Sequence, residues 1–125
     1  MKTIISTPNA PAAVGPYSQA VAANGFIFIS GQLPIDPASG VLAEADTAKQ
    51  TEASIKNLQA ILLAEGLTLG SVVKTTVFMT DLKEFARMNE VYSRFFDKTP
   101  PARATVEVKA LPKGALVEIE AIAAR

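Results

Sequence analysis

Arg103 and the pair Glu118 and Glu120 are the residues best equipped for chemistry in this chain. Arginine offers a planar fork of donors that matches a carboxylate or a phosphate. Arg103 follows Pro100-Pro101-Ala102 at the start of an alternating stretch, and the chain uses arginine four times against eight lysines. On position alone, a surface arginine at a strand end is the plainer assignment. Glu118 and Glu120 lie two apart in Leu116-Val117-Glu118-Ile119-Glu120-Ala121-Ile122. A strand sends both to one face and Val117, Ile119 and Ala121 to the other. That pattern suits a solvated sheet face, and it also suits a carboxylate facing a cleft, able to hold or deprotonate water. A hairpin centred near Leu111-Pro112 would set Thr105 opposite Glu118 and Arg103 opposite Glu120, all four on one face. A slip of one residue would undo that register.

Other residues carry weaker signals. Tyr17, after the turn-forming Gly15-Pro16, suits a half-buried packing role with a hydroxyl seeking a partner. Ser30-Gly31 ends an apolar strand, and a glycine there lets a backbone N–H approach a ligand, although glycine after a strand is ordinary punctuation. Asn89 stands four residues after Phe85, at the edge of an apolar helical face, where it can hydrogen-bond a ligand or nearby backbone.

The composition removes whole classes of mechanism. There is no His and no Cys among the 125 residues. A Ser-His-Asp triad, a thiolate nucleophile, a disulfide and a His- or Cys-built metal site are therefore excluded. Acid–base work falls to Asp, Glu, Lys, Tyr or water. Twelve basic and twelve acidic residues cancel, so the excess of positive charge that drives non-specific nucleic-acid binding is missing. The N-terminus carries Pro8 and Pro11 and no apolar run of signal-peptide length. No stretch approaches the ~20 apolar residues of a membrane span, so a cytoplasmic location without membrane association is expected.

These residues need a scaffold. Asn24-Gly25 supplies a type I′ turn between Gln19–Ala23 and Phe26–Ile29. Phe26-Ile27-Phe28-Ile29 is apolar at every position, which predicts burial on both faces. A helix is predicted from Thr47 to Glu65, with Asp46 as N-cap, Gly66 past its end, and Ala48, Thr51, Ile55, Leu58 and Leu62 on one stripe. Val72–Met79 reads as a strand, so strand–helix–strand suggests a parallel crossover. Asp81 and Glu84 resemble a capping box ahead of a second helix, Leu82 to Phe96, with Phe85, Met88, Tyr92 and Phe95 on one face. Arg103–Val108 and Leu116–Ala123 close the chain as strands. The expectation is a single α+β domain over residues 1–125: a mixed sheet with two helices packed on one face. The other face then needs a cover, and self-association supplies one.

Taken together, the motifs resemble the RidA (YjgF) family of reactive-intermediate deaminases over essentially the whole chain. The matching segments are Gly15-Pro16-Tyr17-Ser18-Gln19-Ala20, Ile29-Ser30-Gly31-Gln32-Leu33-Pro34, Val73-Lys74-Thr75-Thr76-Val77-Phe78, Pro101-Ala102-Arg103-Ala104-Thr105-Val106 and Val117-Glu118-Ile119-Glu120-Ala121-Ile122. The resemblance implies a chorismate-mutase-like fold and a homotrimer with active sites between subunits. It also implies hydrolysis of 2-imino acids such as 2-iminobutanoate and 2-iminopropanoate to 2-oxo acids and ammonia, with no cofactor. By motif, Arg103 would hold the substrate carboxylate and Glu118 would polarise water. Tyr17, Ser30, Gly31, Asn89 and Thr105 would line the pocket, with no metal. Many members carry Cys at the position of Thr105, so no thiol role is available here. Two other functions fit the same family: RNA cleavage with inhibition of translation, and non-catalytic binding of small carboxylates by a regulatory trimer.

Overall fold

The computed structural model describes all 125 residues. Six strands and two helices follow in the order β1 (Thr3–Ile5), β2 (Ala20–Ala23), β3 (Phe26–Gln32), α1 (Thr47–Ala64), β4 (Val72–Met79), α2 (Phe85–Phe95), β5 (Ala102–Glu107) and β6 (Val117–Ala124). The strands form one mixed sheet in the order β1-β2-β3-β6-β4-β5. This is the α+β architecture expected, with β1 as an added edge strand that the sequence did not suggest.

Local chemistry explains the elements. Asn24 and Gly25 take φ of 52° and 81°, the left-handed pair that a tight two-residue hairpin requires. Asp46 caps α1 by accepting from the Lys49 N–H at 2.9 Å, and Gly66 lies just past its end at φ 72°. Asp81 caps a short 3-10 turn, Leu82–Glu84, through the Lys83 N–H. The second helix therefore starts at Phe85, three residues later than the capping-box reading placed it.

The core lies between the helices and one sheet face. Ile27 and Ile29 of β3, Val77 and Met79 of β4, and Val117, Ile119, Ala121 and Ala123 of β6 pack there with Ile55, Leu58, Ile61, Leu62, Met88 and Tyr92. Polar residues join them. Gln50 accepts from the Leu116 N–H at 2.8 Å, and Asn57 donates to the carbonyls of Leu33 and Ile35. These amides stitch loops to the helix by satisfying buried backbone groups.

Two expectations are corrected. Phe26–Ile29 is not buried on both faces. Ile27 and Ile29 are 0% and 4% exposed, but Phe26 and Phe28 are 43% and 46% exposed, because no layer covers the far side of the sheet in a single chain. That side also carries Ile4, Val21, Ile122, Phe78 and Val106, as the strand registers require. Nor do the last two strands form a hairpin. Here β4 lies between them, antiparallel to β6 and parallel to β5. Both β3 and β4 run antiparallel to β6, so the β3–α1–β4 connection is a parallel crossover with β6 inserted between its strands.

Candidate active site

The corrected topology divides the candidate residues between the two faces of the sheet. Thr75, Val77 and Met79 of β4 pair with Ala121, Ile119 and Val117 on one side and with Arg103, Thr105 and Glu107 on the other. Paired residues share a face, so Arg103 and Thr105 point toward the helices. Thr76 and Phe78 pair with Glu120 and Glu118, which puts both glutamates on the uncovered face. The single-face arrangement of Arg103, Thr105, Glu118 and Glu120 is therefore overturned: β4 intervenes, and the alternation of two different strands sets the sides.

On the helix side, α2 and the edge strand β5 build a cation seat. Arg103 Nη1 donates to Asn89 Oδ1 at 2.8 Å. The guanidinium carbon lies 4.7 Å from the centroid of the Tyr92 ring and 5.5 Å from that of Phe85. Tyr92 is itself tied by its hydroxyl to Thr75 Oγ1 at 2.7 Å. Burial pushes the Tyr92 phenol up from its ordinary range, against the opposing pull of Thr75 and the Arg103 charge, so the ring is a neutral platform. No carboxylate of the chain pairs with Arg103. A guanidinium has five N–H groups and can only donate; Asn89 takes one and must present its oxygen to do so. A crevice of about 350 Å³ opens here, lined by Asn89, Tyr92, Ser93, Phe96, Pro101 and Arg103. Thr105, two residues along the same strand face, holds its Oγ1 buried with no partner in the chain.

On the uncovered side, a larger groove of about 630 Å³ collects Tyr17, Ser30, Gly31, Glu118 and Glu120, with Pro11, Val14 and Leu33 as apolar wall. The β3–β6 register shifts between Ile29 and Gln32, and this bulge turns Ser30-Gly31 toward the carboxylates. A Cβ at position 31 would sit 2.7 Å from Glu118 Oε2, so glycine is what admits the carboxylate against the backbone. Burial raises the Glu118 carboxyl above the usual range, and the Glu120 charge adds to this. Ser30 Oγ donates to the Ser18 carbonyl at 2.6 Å, which leaves its lone pairs for a ligand.

Gln19 holds this groove together, and sequence reasoning missed it. It is 4% exposed. It accepts from the Thr7 N–H at 2.7 Å and donates to the carbonyls of Thr7, Ala10 and Pro11. The N-terminal loop, which supplies Pro11, Ala12 and Val14 to the lining of the groove, is thereby pinned in place. The structure thus brings together Arg103, Asn89 and Thr105 in one group and Tyr17, Ser30, Gly31 and Glu118 in another. Within one chain it does not bring the two groups together.

No group of three or more His, Cys, Asp or Glu side chains is placed to hold a metal ion, and no helix is long and apolar enough to cross a membrane.

Comparison with known proteins gives a consistent result. The family model described as Endoribonuclease L-PSP matches residues 7–125. A RutC family protein of Pyrococcus horikoshii is 51% identical over 98% of this chain and 98% of its own. The mouse protein named 2-iminobutanoate/2-iminopropanoate deaminase is 48% identical, over 98% of this chain and 91% of its own. The crystal structure of Escherichia coli TdcF with bound serine superposes with a TM-score of 0.94 at 48% identity, covering 98% of each chain.

Proposed function

The chain belongs to the RidA (YjgF) family, and from that premise we propose that it is a cofactor-independent hydrolytic deaminase of 2-imino acids. The observation that carries this reading is the Arg103 seat: a half-buried guanidinium, held by Asn89 and Tyr92, with no carboxylate partner of its own. Such a group is an anion receptor that waits for a substrate carboxylate.

The mechanism needs little more. An iminium carbon is already electrophilic, so the protein has to orient substrate and water rather than supply a strong base. Arg103 fixes the carboxylate, and Ser30 and the Gly31 backbone line the approach. Glu118 takes a proton as the water oxygen bonds to C2 and the C=N π pair moves onto nitrogen. Returned to that nitrogen, the proton lets the C–N bond break as the carbinol oxygen becomes the 2-oxo group. Ammonia then carries off the hydroxyl proton as ammonium. A raised Glu118 pKa suits both halves of that exchange.

Arg103 and Glu118 face opposite sides of the sheet, and β5 is an edge strand. A working site therefore requires the Arg103 seat of one chain to meet the Glu118 groove of another. The uncovered apolar face supplies the contact, and a closed ring of three chains satisfies every face. Thr105, with its unspent hydroxyl, completes the Arg103 side.

The test is a coupled assay in which a threonine dehydratase generates 2-iminobutanoate and 2-oxobutanoate release is followed with and without the protein. Arg103→Ala should lose about 30- to 1000-fold of the protein-dependent rate, the equivalent of ~2–4 kcal/mol. Arg103→Lys should recover little, because it keeps the charge but not the fork. The family description favours RNA cleavage as a second reading. Cleavage of RNA without any acceleration of imine hydrolysis would establish that reading. Binding of small carboxylates with no turnover of either would favour the third reading, a non-catalytic carboxylate-binding protein.

A further inference from the structure

We infer that Tyr92, with Phe85 beside it, is the positioning residue that sets the plane of the Arg103 guanidinium and so presents its donor edge ready-made to the two oxygens of a carboxylate. The inference rests on the proposed role of Arg103 as carboxylate receptor.

A guanidinium alone on an edge strand would rotate about its long side chain. Here the Tyr92 ring lies 4.7 Å from its central carbon and the Phe85 ring 5.5 Å, distances at which the negative ring face attracts a cation. Two rings this close to the central carbon occupy space beside the guanidinium and restrict the directions from which acceptors can reach it. Asn89 fills one edge position at 2.8 Å. The remaining four N–H groups lie in the same plane, which is the geometry of a two-oxygen fork. The ring cannot tilt freely, because its hydroxyl is bonded to fully buried Thr75 at 2.7 Å and the ring packs on Phe96 at a centroid distance of 4.6 Å. Orientation therefore passes from the sheet interior through Thr75 and Tyr92 to Arg103. A lysine at 103 could feel the rings but has no plane for them to set.

The experiment measures the affinity of the whole protein for 2-oxobutanoate by calorimetry in a double-mutant cycle. Tyr92→Leu should weaken binding about tenfold in the wild-type background, the size expected when a side chain must be ordered on binding instead of being held in place beforehand. In an Arg103→Lys background, titrated with ligand in large enough excess to saturate its weaker binding, the same change should cost less than about twofold, since a lysine has no plane to set. Tyr92→Phe keeps the ring and should stay within about threefold of wild type. If Tyr92→Leu does not fold, Phe85→Leu tests the claim in the same cycle, as Phe85 is only partly buried. Equal losses in both backgrounds mean a general packing role and overturn the inference, as does unchanged affinity in Tyr92→Leu. Unchanged affinity in Arg103→Lys and Arg103→Ala would instead remove the carboxylate from Arg103, a failure of the underlying reading rather than of the positioning claim.

Discussion

At the residue scale, the two glutamates differ in a way that alternation cannot reveal. Glu118 is half-buried against the Gly31 backbone, while Glu120 is exposed. Burial raises the Glu118 carboxyl, and Glu120 raises it further by repulsion. In the proposed mechanism the working form of Glu118 is the carboxylate, so the rate should fall as pH drops through that elevated range. Glu120→Gln removes the repulsion, lowers the Glu118 pKa and should move the acid limb of the pH–rate profile to lower pH with little change in its plateau. Glu118→Gln should cut the plateau by about 10²–10⁴-fold, the usual size for general-base catalysis. Spontaneous hydrolysis is subtracted at each pH. A limb that stays put in Glu120→Gln means Glu118 is not the titrating group. The sign for stability runs the opposite way to a salt-bridged acid. A raised native pKa means the native state holds its proton longer, so ionising Glu118 costs stability as pH rises through the window. In Glu118→Gln, a lower rate should therefore accompany an unchanged or higher melting temperature at neutral pH. Arg103 and Glu118 stood out through the resemblance of their motifs to the family; position alone left Arg103 a surface arginine, and alternation did not separate Glu118 from Glu120. Tyr92 was read only as core and Gln19 only as a strand residue within a matching segment, since a ring and an amide do not disclose their role until their partners are known.

At the element scale, the helix ends and the tight turn were legible because local rules decide them. Asp46, Gly66 and Asn24-Gly25 behave as their residue types dictate. Asp46 does more than cap: its second oxygen accepts from Arg87 Nη2 of α2 at 2.8 Å. Asp46→Ala should cost about 1–2 kcal/mol of stability through the lost cap. Asp46→Asn keeps the cap and loses only a partly exposed ion pair, so it should cost about 0.5 kcal/mol. Urea unfolding of the two variants checks this, and equal losses would shift the weight to the ion pair. Strand order was not legible. The pairing of β4 with both β5 and β6 is a non-local choice, and a short loop near Pro112 made the wrong hairpin look natural. The polar side of α1 was also hidden. Gln50, Ser54, Asn57 and Ile61 share a buried stripe beside Ile55 and Leu58, and that spacing was the available signal for the amides that anchor the loops.

At the scale of the whole molecule, the sheet of one chain has a side packed by helices and a largely apolar uncovered side, and the candidate site residues are split between them. The sequence hinted at this through the all-apolar run Phe26–Ile29, whose second face has nothing to bury it within 125 residues. Under the proposed function, an assembly that joins the Arg103 edge of one chain to the Glu118 groove of the next would complete both the burial and the site. Complementation tests this most directly. Arg103→Ala and Glu118→Gln chains are each purified alone and then co-assembled in equal amounts, and protein-dependent imine hydrolysis is measured. Each homomer should be nearly inactive. In randomly mixed rings, about one site in four pairs an intact Arg103 with an intact Glu118 from the neighbour, so activity should recover to roughly a quarter of wild type. If both residues act from the same chain, no mixed site is intact, and co-assembled rings as inactive as the parents would contradict the account.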